Sequence, residues 1–124
     1  MAAHNELGQW GEEKAAEYLI KKGFYIRHRD WKSGHRDIDL VAIDEDSTIL
    51  LFVEVKTRQT DFYGSPDEAV DREKRKNLLA AAHEYILAYH MGWIEQRFDI
   101  ISVVGTNDEN VKITHIEDAF GILL

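Results

Sequence analysis

The stretch LLFVEVKTR, residues 50–58, constrains the fold more than any other part of the chain. Leu50, Leu51, Phe52, Val53 and Val55 read as a buried β-strand, yet Glu54 and Lys56 interrupt the apolar run. A carboxylate and an ammonium are costly to take out of water unless they are paired, hydrogen-bonded or bound to a metal. A fold for this chain therefore has to bring partners to both groups.

The preceding segment offers them. Residues 36–44 read as another strand, joined to residues 48–57 by the turn-prone Glu45-Asp46-Ser47. Side chains alternate between the two faces of a strand. Asp37, Asp39 and Val41 are thus expected on one side, with Ile38, Leu40 and Ala42 on the other; Phe52, Glu54 and Lys56 share a side of the later strand. With Asp44 opposite Ile49, Asp39 faces Glu54 and Asp37 faces Lys56, and a slip of two residues keeps all four groups on one face. Adjacent carboxylates repel. A hard divalent cation relieves that repulsion, and Mg²⁺ accepts one or two carboxylates together with waters and phosphate oxygens. Such an ion lowers the pKa of bound water and neutralises charge on a phosphate. Lys56 would then orient or activate the water, or stabilise the phosphate oxygens. A structural ion-pair network across the two strands fits the same spacing. Glu12 shares a helical face with Ala15, Ala16 and Leu19. It reads either as a boundary residue with a packed stem or as a further carboxylate turned toward the sheet.

The 124 residues suit one domain, 1–124, with 44% apolar residues to build its core. No apolar run is long enough to span a membrane. The start, MAAHNELGQWGEEK, lacks the apolar centre of a secretory signal. Cysteine is absent, which excludes disulfides and thiolate–zinc sites. A cytoplasmic location is expected. The formal charge of −8 argues against a nucleic-acid binder, since phosphate contacts supply most of such affinity. Its distribution softens the objection. Residues 21–36 carry Lys21, Lys22, Arg27, Arg29, Lys32 and Arg36 against Asp30, six minus one or a local +5, and Arg72-Glu73-Lys74-Arg75-Lys76 forms a second basic cluster. Each run also reads as a solvated face.

Residues 6–22 read as a helix stopped by Gly23. Residues 24–31 form a first strand, 97–104 a fourth, and 111–116 a fifth at an edge. Ser65-Pro66-Asp67-Glu68 has the form of a capping box, opening a helix that runs toward His90, with a break expected within its charged segment. The order α-β-β-β-α-β-β predicts an α/β fold, a mixed β-sheet flanked by helices.

At this point the residues resemble a known pattern. Asp39 followed by Glu54-Val55-Lys56 looks like the core of the PD-(D/E)xK nuclease superfamily. Gly8-Gln9-Trp10-Gly11-Glu12, Ala15, Tyr18-Leu19, Gly23-Phe24, Asp37-Ile38-Asp39-Leu40, Phe52 through Arg58, Gly64, Ala69-Val70, Lys74 and Arg97-Phe98-Asp99 resemble, in order, the YraN-like family of small bacterial proteins. These are predicted endonucleases similar to archaeal Holliday-junction resolvases. The resemblance spans roughly residues 5–104. It implies a restriction-endonuclease-like α-β-β-β-α-β core. It implies that Asp39 and Glu54 ligate Mg²⁺ (Mn²⁺ as substitute), with the carbonyl of Val55 as a further ligand, that Lys56 is catalytic, and that Glu12 approaches from the first helix. It implies nucleic acid, DNA foremost, as partner, and it leaves room for a homodimer, because a four-way junction presents two symmetry-related strands; no membrane partner is expected, given the lack of a long apolar run. One departure stands out. Where the family commonly reads Gly-Glu-Ile-Asp-Leu, this chain has Arg36-Asp37-Ile38-Asp39-Leu40. Asp37 remains a candidate ligand with a shorter reach, and Arg36 is a candidate phosphate contact or an acid's partner.

The leading expectation is a metal-dependent endonuclease acting on DNA, with branched or damaged DNA among the candidate substrates, guided by Lys21, Lys22, Arg27, Arg29, Lys32, Arg36, Arg58 and Lys74. Trp31, Tyr63 or Trp93 either stacks on a base or packs in the core. The alternatives are a catalytically silent nuclease-fold domain that binds nucleic acid or a protein, and a hydrolase of some other phosphodiester. His28, His35 and Asp37 match no compact zinc motif. His83, His90 and His115 stand apart without suggesting a role. No phosphate-binding P-loop is present.

Overall fold

The computed structural model describes residues 2–60 and 72–120, with side chains from residue 6 onward. The first helix, α1 (Ala2–Lys21), ends at the expected glycine. Gly23 takes φ 98°, Phe24 N–H donates to Leu19 O (3.0 Å) and Gly23 N–H to Ile20 O (3.0 Å). This is a Schellman end, with Phe24 folding onto Leu19 in the core. The chain then forms β1 (Tyr25–Ser33), β2 (Arg36–Ile43), β3 (Ile49–Arg58), α2 (Arg72–Tyr89), β4 (Glu95–Val104) and β5 (Lys112–Ile116). Helix α2 is continuous through its charged segment. The capping box at Ser65–Glu68 lies outside the described residues, as do Tyr63, Gly64, Ala69 and Val70.

The five strands lie in chain order, β1-β2-β3-β4-β5. All neighbours are antiparallel except β3 and β4, which α2 connects in parallel. The sheet is mixed, the class the element order predicts. Leu40, Ala42, Leu51, Val53, Val55, Ile101 and Val103 pack under α1 against Ala15, Ala16 and Leu19. Val41, Leu50 and Phe52 pack under α2 against Ala81, Ala82 and Tyr85. Strand β3 is thus covered on both faces, as its apolar run requires.

The β2–β3 register follows from Asp44. Its Oδ1 accepts from Thr48 N–H (2.7 Å) and Ile49 N–H (2.9 Å), and Asp44 N–H donates to Ile49 O (3.2 Å). Leu40 then pairs with Val53 and Ile43 with Leu50, the expected register. The expected face assignment of β2 needs correction. Ile38 packs under α2 together with Val41, not with Leu40 and Ala42 under α1. The period of two fails at Asp39. The β1–β2 ladder pairs Arg29 with Leu40 and Trp31 with Ile38 but skips Asp30 and Asp39, and Asp30 sits at φ 48°. The β2–β3 ladder stops at Leu40–Val53. The strands part where the acids begin, so Asp37 does not stand opposite Lys56.

Candidate active site

The parting of β2 from β3 leaves main-chain groups of β3 without a partner strand on that side. Asp39 supplies one: its Oδ2 accepts from Val55 N–H at 2.8 Å. The carboxylate takes the place of a ladder acceptor and is held against β3. Glu54, the residue before, is buried. Its Oε2 lies 2.7 Å from Lys74 Nζ and 3.4 Å from Lys56 Nζ. Lys74 comes from the first turn of α2, so that helix brings a second ammonium to the acid that the strand buries.

Helix α1 approaches from the opposite face. Gly11 permits this, because a Cβ there would come within 1.9 Å of Thr57 Oγ1. The close approach sets the next residue, Glu12, beside the acids. Burial raises the Glu12 carboxyl above its ordinary value, and Asp30, Asp37 and Glu54 add to the effect. Asp39 is pushed up to about 8, by burial first and by Glu54 next, with Glu12 and Asp37 contributing and the Val55 N–H opposing. Lys56 is pulled down, by burial and then by Lys74. Burial is the largest influence on Lys74 and opposes its charge, but the hydrogen bond and charge of Glu54, with Lys56 and Asp39 adding to them, together outweigh it and the net shift is upward.

The expected residues therefore divide. Glu12, Asp39, Glu54, Val55 and Lys56 meet, with Asp37 at an exposed margin where its carboxylate lies 3.8 Å from Lys32 Nζ. His35, Arg36, Asp37, Glu54, Glu73, Lys74, Asn77 and Leu78 line an open cavity of about 300 Å³ beside them. Arg36 Nη1 lies 3.7 Å from Glu84, and Arg36 Nε has no hydrogen-bond partner among the described residues. Arg58 ends β3, its carbonyl accepting from Gly105 N–H (2.9 Å). The other cations are engaged elsewhere: Arg27 Nε donates to Tyr85 Oη (2.8 Å), Arg29 to Glu13 (2.5 Å) and Lys32 to Asp30 (3.0 Å). Lys21 and Lys22 follow Glu12 by nine and ten residues, roughly 14 Å along the helix axis. Lys22 Nζ donates to Tyr18 Oη at 3.3 Å. Trp31 packs on Tyr85 and Tyr89, whereas Trp93 is exposed. His28 is held between the hydroxyls of Tyr85 and Tyr89.

One group escaped the sequence reading. His115, which suggested no role, is buried and hydrogen-bonded to Asp99 Oδ2 through Nε2 at 2.6 Å. Arg97 grips the same carboxylate at 2.9 and 2.8 Å, and Asp118 N–H donates to it at 2.9 Å. Asp99 interrupts its apolar strand just as Glu54 does, and that was the available signal.

Among the described residues no three His, Asp or Glu side chains converge as a protein-only metal cage would need. The convergent oxygens are those of Asp39 and Glu54 with the intervening main chain of β3. Nor, among the described residues, is any helix long and apolar enough to cross a membrane. An α-β-β-β-α-β arrangement whose central antiparallel strands part around paired acids and a lysine defines a nuclease-like α/β class. Residues 11–103 match the family described as "Uncharacterised protein family UPF0102", and the chain belongs to it. This is the nuclease-like family of the YraN-like proteins. The UPF0102 protein of Bacteroides thetaiotaomicron is 46% identical over 120 residues, 97% of this chain and 96% of that protein. That of Porphyromonas gingivalis is 44% identical over 125 residues, 100% of this chain and 90% of its own length. That of Flavobacterium psychrophilum is 42% identical over 120 residues, covering 97% and 98%.

Proposed function

We propose that this protein is a divalent-metal-dependent endonuclease hydrolysing DNA phosphodiester bonds, with branched and repair-intermediate DNA as the substrate class. The carrying observation is the state of Asp39. It lies beside buried Glu54, its carboxyl pushed up to about 8, and among the described residues the close ion pairs of Lys56 and Lys74 are both made to Glu54. A structural ion-pair network would place a cation against Asp39. The donor set fits a hard divalent ion: Asp39, Glu54 and the Val55 carbonyl are all oxygens, with Asp37 and Glu12 at the margin. Bound there, Mg²⁺, or Mn²⁺ in its place, would neutralise phosphate charge and lower the pKa of a coordinated water.

The chain's own residues do the rest. In hydrolysis a water oxygen bonds to phosphorus, the bond from phosphorus to the leaving sugar oxygen breaks, the water gives up a proton and the leaving oxygen gains one. Lys56, drawn toward its neutral form by burial and by Lys74, is the group set to take the water's proton. Glu54, 3.4 Å away, holds it in place. Arg36, Lys74 and Arg58 contact the nucleic-acid backbone, with Lys32 beside them. A homodimer would let two such sites act on the symmetry-related strands of a junction.

The first test is Mn²⁺ binding, followed by water-proton relaxation, in wild type and Asp39→Asn. Binding that vanishes in the variant is expected, and cleavage of junction DNA should then be lost in Lys56→Met. Equal binding in both proteins, or none at millimolar metal, would sink the metal-site reading. A silent binding domain is the second reading, favoured by the engagement of Arg29 with Glu13 and Lys32 with Asp30 in a chain of net charge −8. On that reading the Lys56 variant behaves as wild type.

A further inference from the structure

Glu54 Oε2 receives two ammonium groups, Lys74 Nζ at 2.7 Å and Lys56 Nζ at 3.4 Å, and the nearer one comes from a helix rather than from the strand that carries the acid. Lys56 is fixed in β3 and two residues from Glu54. Lys74 sits at the start of α2 on a flexible four-carbon stem, its side chain 43% exposed, and it lines the 300 Å³ cavity shared with His35, Arg36, Asn77 and Glu54. Rotation about that stem is enough to move its ammonium from the carboxylate into the cavity. A carboxylate oxygen held at 2.7 Å by an ammonium cannot at the same time offer its full charge to a second cation.

We infer that Lys74 is a tethered counter-ion that competes with the divalent ion for Glu54 and is handed over to a nucleic-acid phosphate when substrate enters the cavity. The inference rests on the metal-site reading above and adds to it a coupling. Without substrate, Lys74 neutralises Glu54 and weakens metal binding. A phosphodiester in the cavity draws Lys74 away and frees Glu54 for the metal. By linkage, substrate and metal then strengthen each other's binding by the same factor. Lys74 is a positioning residue in this scheme, acting through Glu54.

The experiment is Mn²⁺ titration of the full chain, read by water-proton relaxation, in wild type, Lys74→Met, Lys74→Arg and Asp39→Asn. Removing the competitor should tighten Mn²⁺ binding about tenfold in Lys74→Met, within the usual range of coupling between sites. Lys74→Arg keeps the charge and should stay near wild type. Equal or weaker binding in Lys74→Met overturns the inference while leaving the metal site standing. No binding in either protein, or undiminished binding in Asp39→Asn, overturns the metal site and the inference together. A phosphorothioate-linked oligonucleotide, resistant to hydrolysis, should tighten Mn²⁺ binding in wild type and add nothing in Lys74→Met. An oligonucleotide that binds yet leaves the wild-type Mn²⁺ affinity unmoved overturns the handover.

Discussion

Asp39 on β2 and Asp99 on β4 flank the same central strand, and the structure gives their carboxylates opposite surroundings. Asp99 receives a two-pronged Arg97, the ring of His115 and a main-chain N–H. Burial pushes its carboxyl up, but the hydrogen bonds from His115, Arg97 and Asp118 more than reverse this and hold it below the ordinary value. Asp39 receives one main-chain N–H and faces Glu54, Glu12 and Asp37. Asp99 is complete within the chain. Asp39 has no such set of partners among the described residues, and a group left short of positive charge in a site with two lysines at hand is what the proposed ligand role rests on.

The comparison breaks most visibly at Asp99. Asp99→Ala strips the partner from Arg97 and His115 and frees the turn at Asp118. Removing one member of a buried pair costs about 3–5 kcal/mol, so a loss of that size is expected in denaturant unfolding. A loss below about 1 kcal/mol would mean that water reaches the abandoned groups and that the clamp is looser than its geometry implies.

The two carboxylates were not equally legible in the sequence. The Asp39–Glu54 encounter follows from short-range facts: an alternating strand, a turn anchored by Asp44, and a return strand. Its register was readable because each step is local. The reversal of Ile38 was not, since it depends on Asp30 in β1 leaving the ladder at φ 48°, which no periodicity announces. The pairing of Asp99 with His115 needs β5 to lie against β4, and the pairing of Glu54 with Lys74 needs α2 to cross over the sheet and return. Both are products of tertiary packing. The fold class and the strand-borne part of the candidate site were thus visible as geometry, while the helix-borne lysine's grip on Glu54 and the structural acid's partners were hidden.

The pH dependence of stability sharpens the contrast at intermediate size. In the metal-free protein Asp39 holds its proton up to about pH 8, whereas the unfolded chain releases it near the ordinary value of 3.8. Between these values the folded state binds the extra proton, so stability falls as pH rises. The limit for one proton is about 1.4 kcal/mol per pH unit, and partial solvent access brings the observed slope below that. Asp99 has the opposite sign. Its depressed carboxyl contributes fully above 3.8, and that contribution is lost as pH falls through its folded value. Unfolding in the presence of a chelator should show wild-type stability declining from about pH 5 to 8, with a shallower decline in Asp39→Asn, to which Glu12 still contributes, and the variant about 1 kcal/mol more stable at the upper end. An equal slope in the variant would place the titrating group elsewhere.

The smallest effect concerns the cations around each acid. Lys22 reaches Tyr18, whose hydroxyl meets His115, so the end of α1 belongs to the surroundings of Asp99. Lys32 lies beside Asp37, and Arg36 lines the cavity with Asp37 and Glu54. A single basic track along residues 21–36 would make all of them equivalent toward DNA, whereas the structure divides them. Replacing Lys21 and Lys22 together by Ala should alter stability by no more than about 0.5 kcal/mol, as for exposed residues generally, and should leave the salt dependence of DNA binding unchanged. Replacing Lys32 and Arg36 should lower the slope by about one for each phosphate that is no longer neutralised. Equal weakening from the two pairs would restore the continuous track and place the DNA path along the full length of α1, past the structural acid as well as the site.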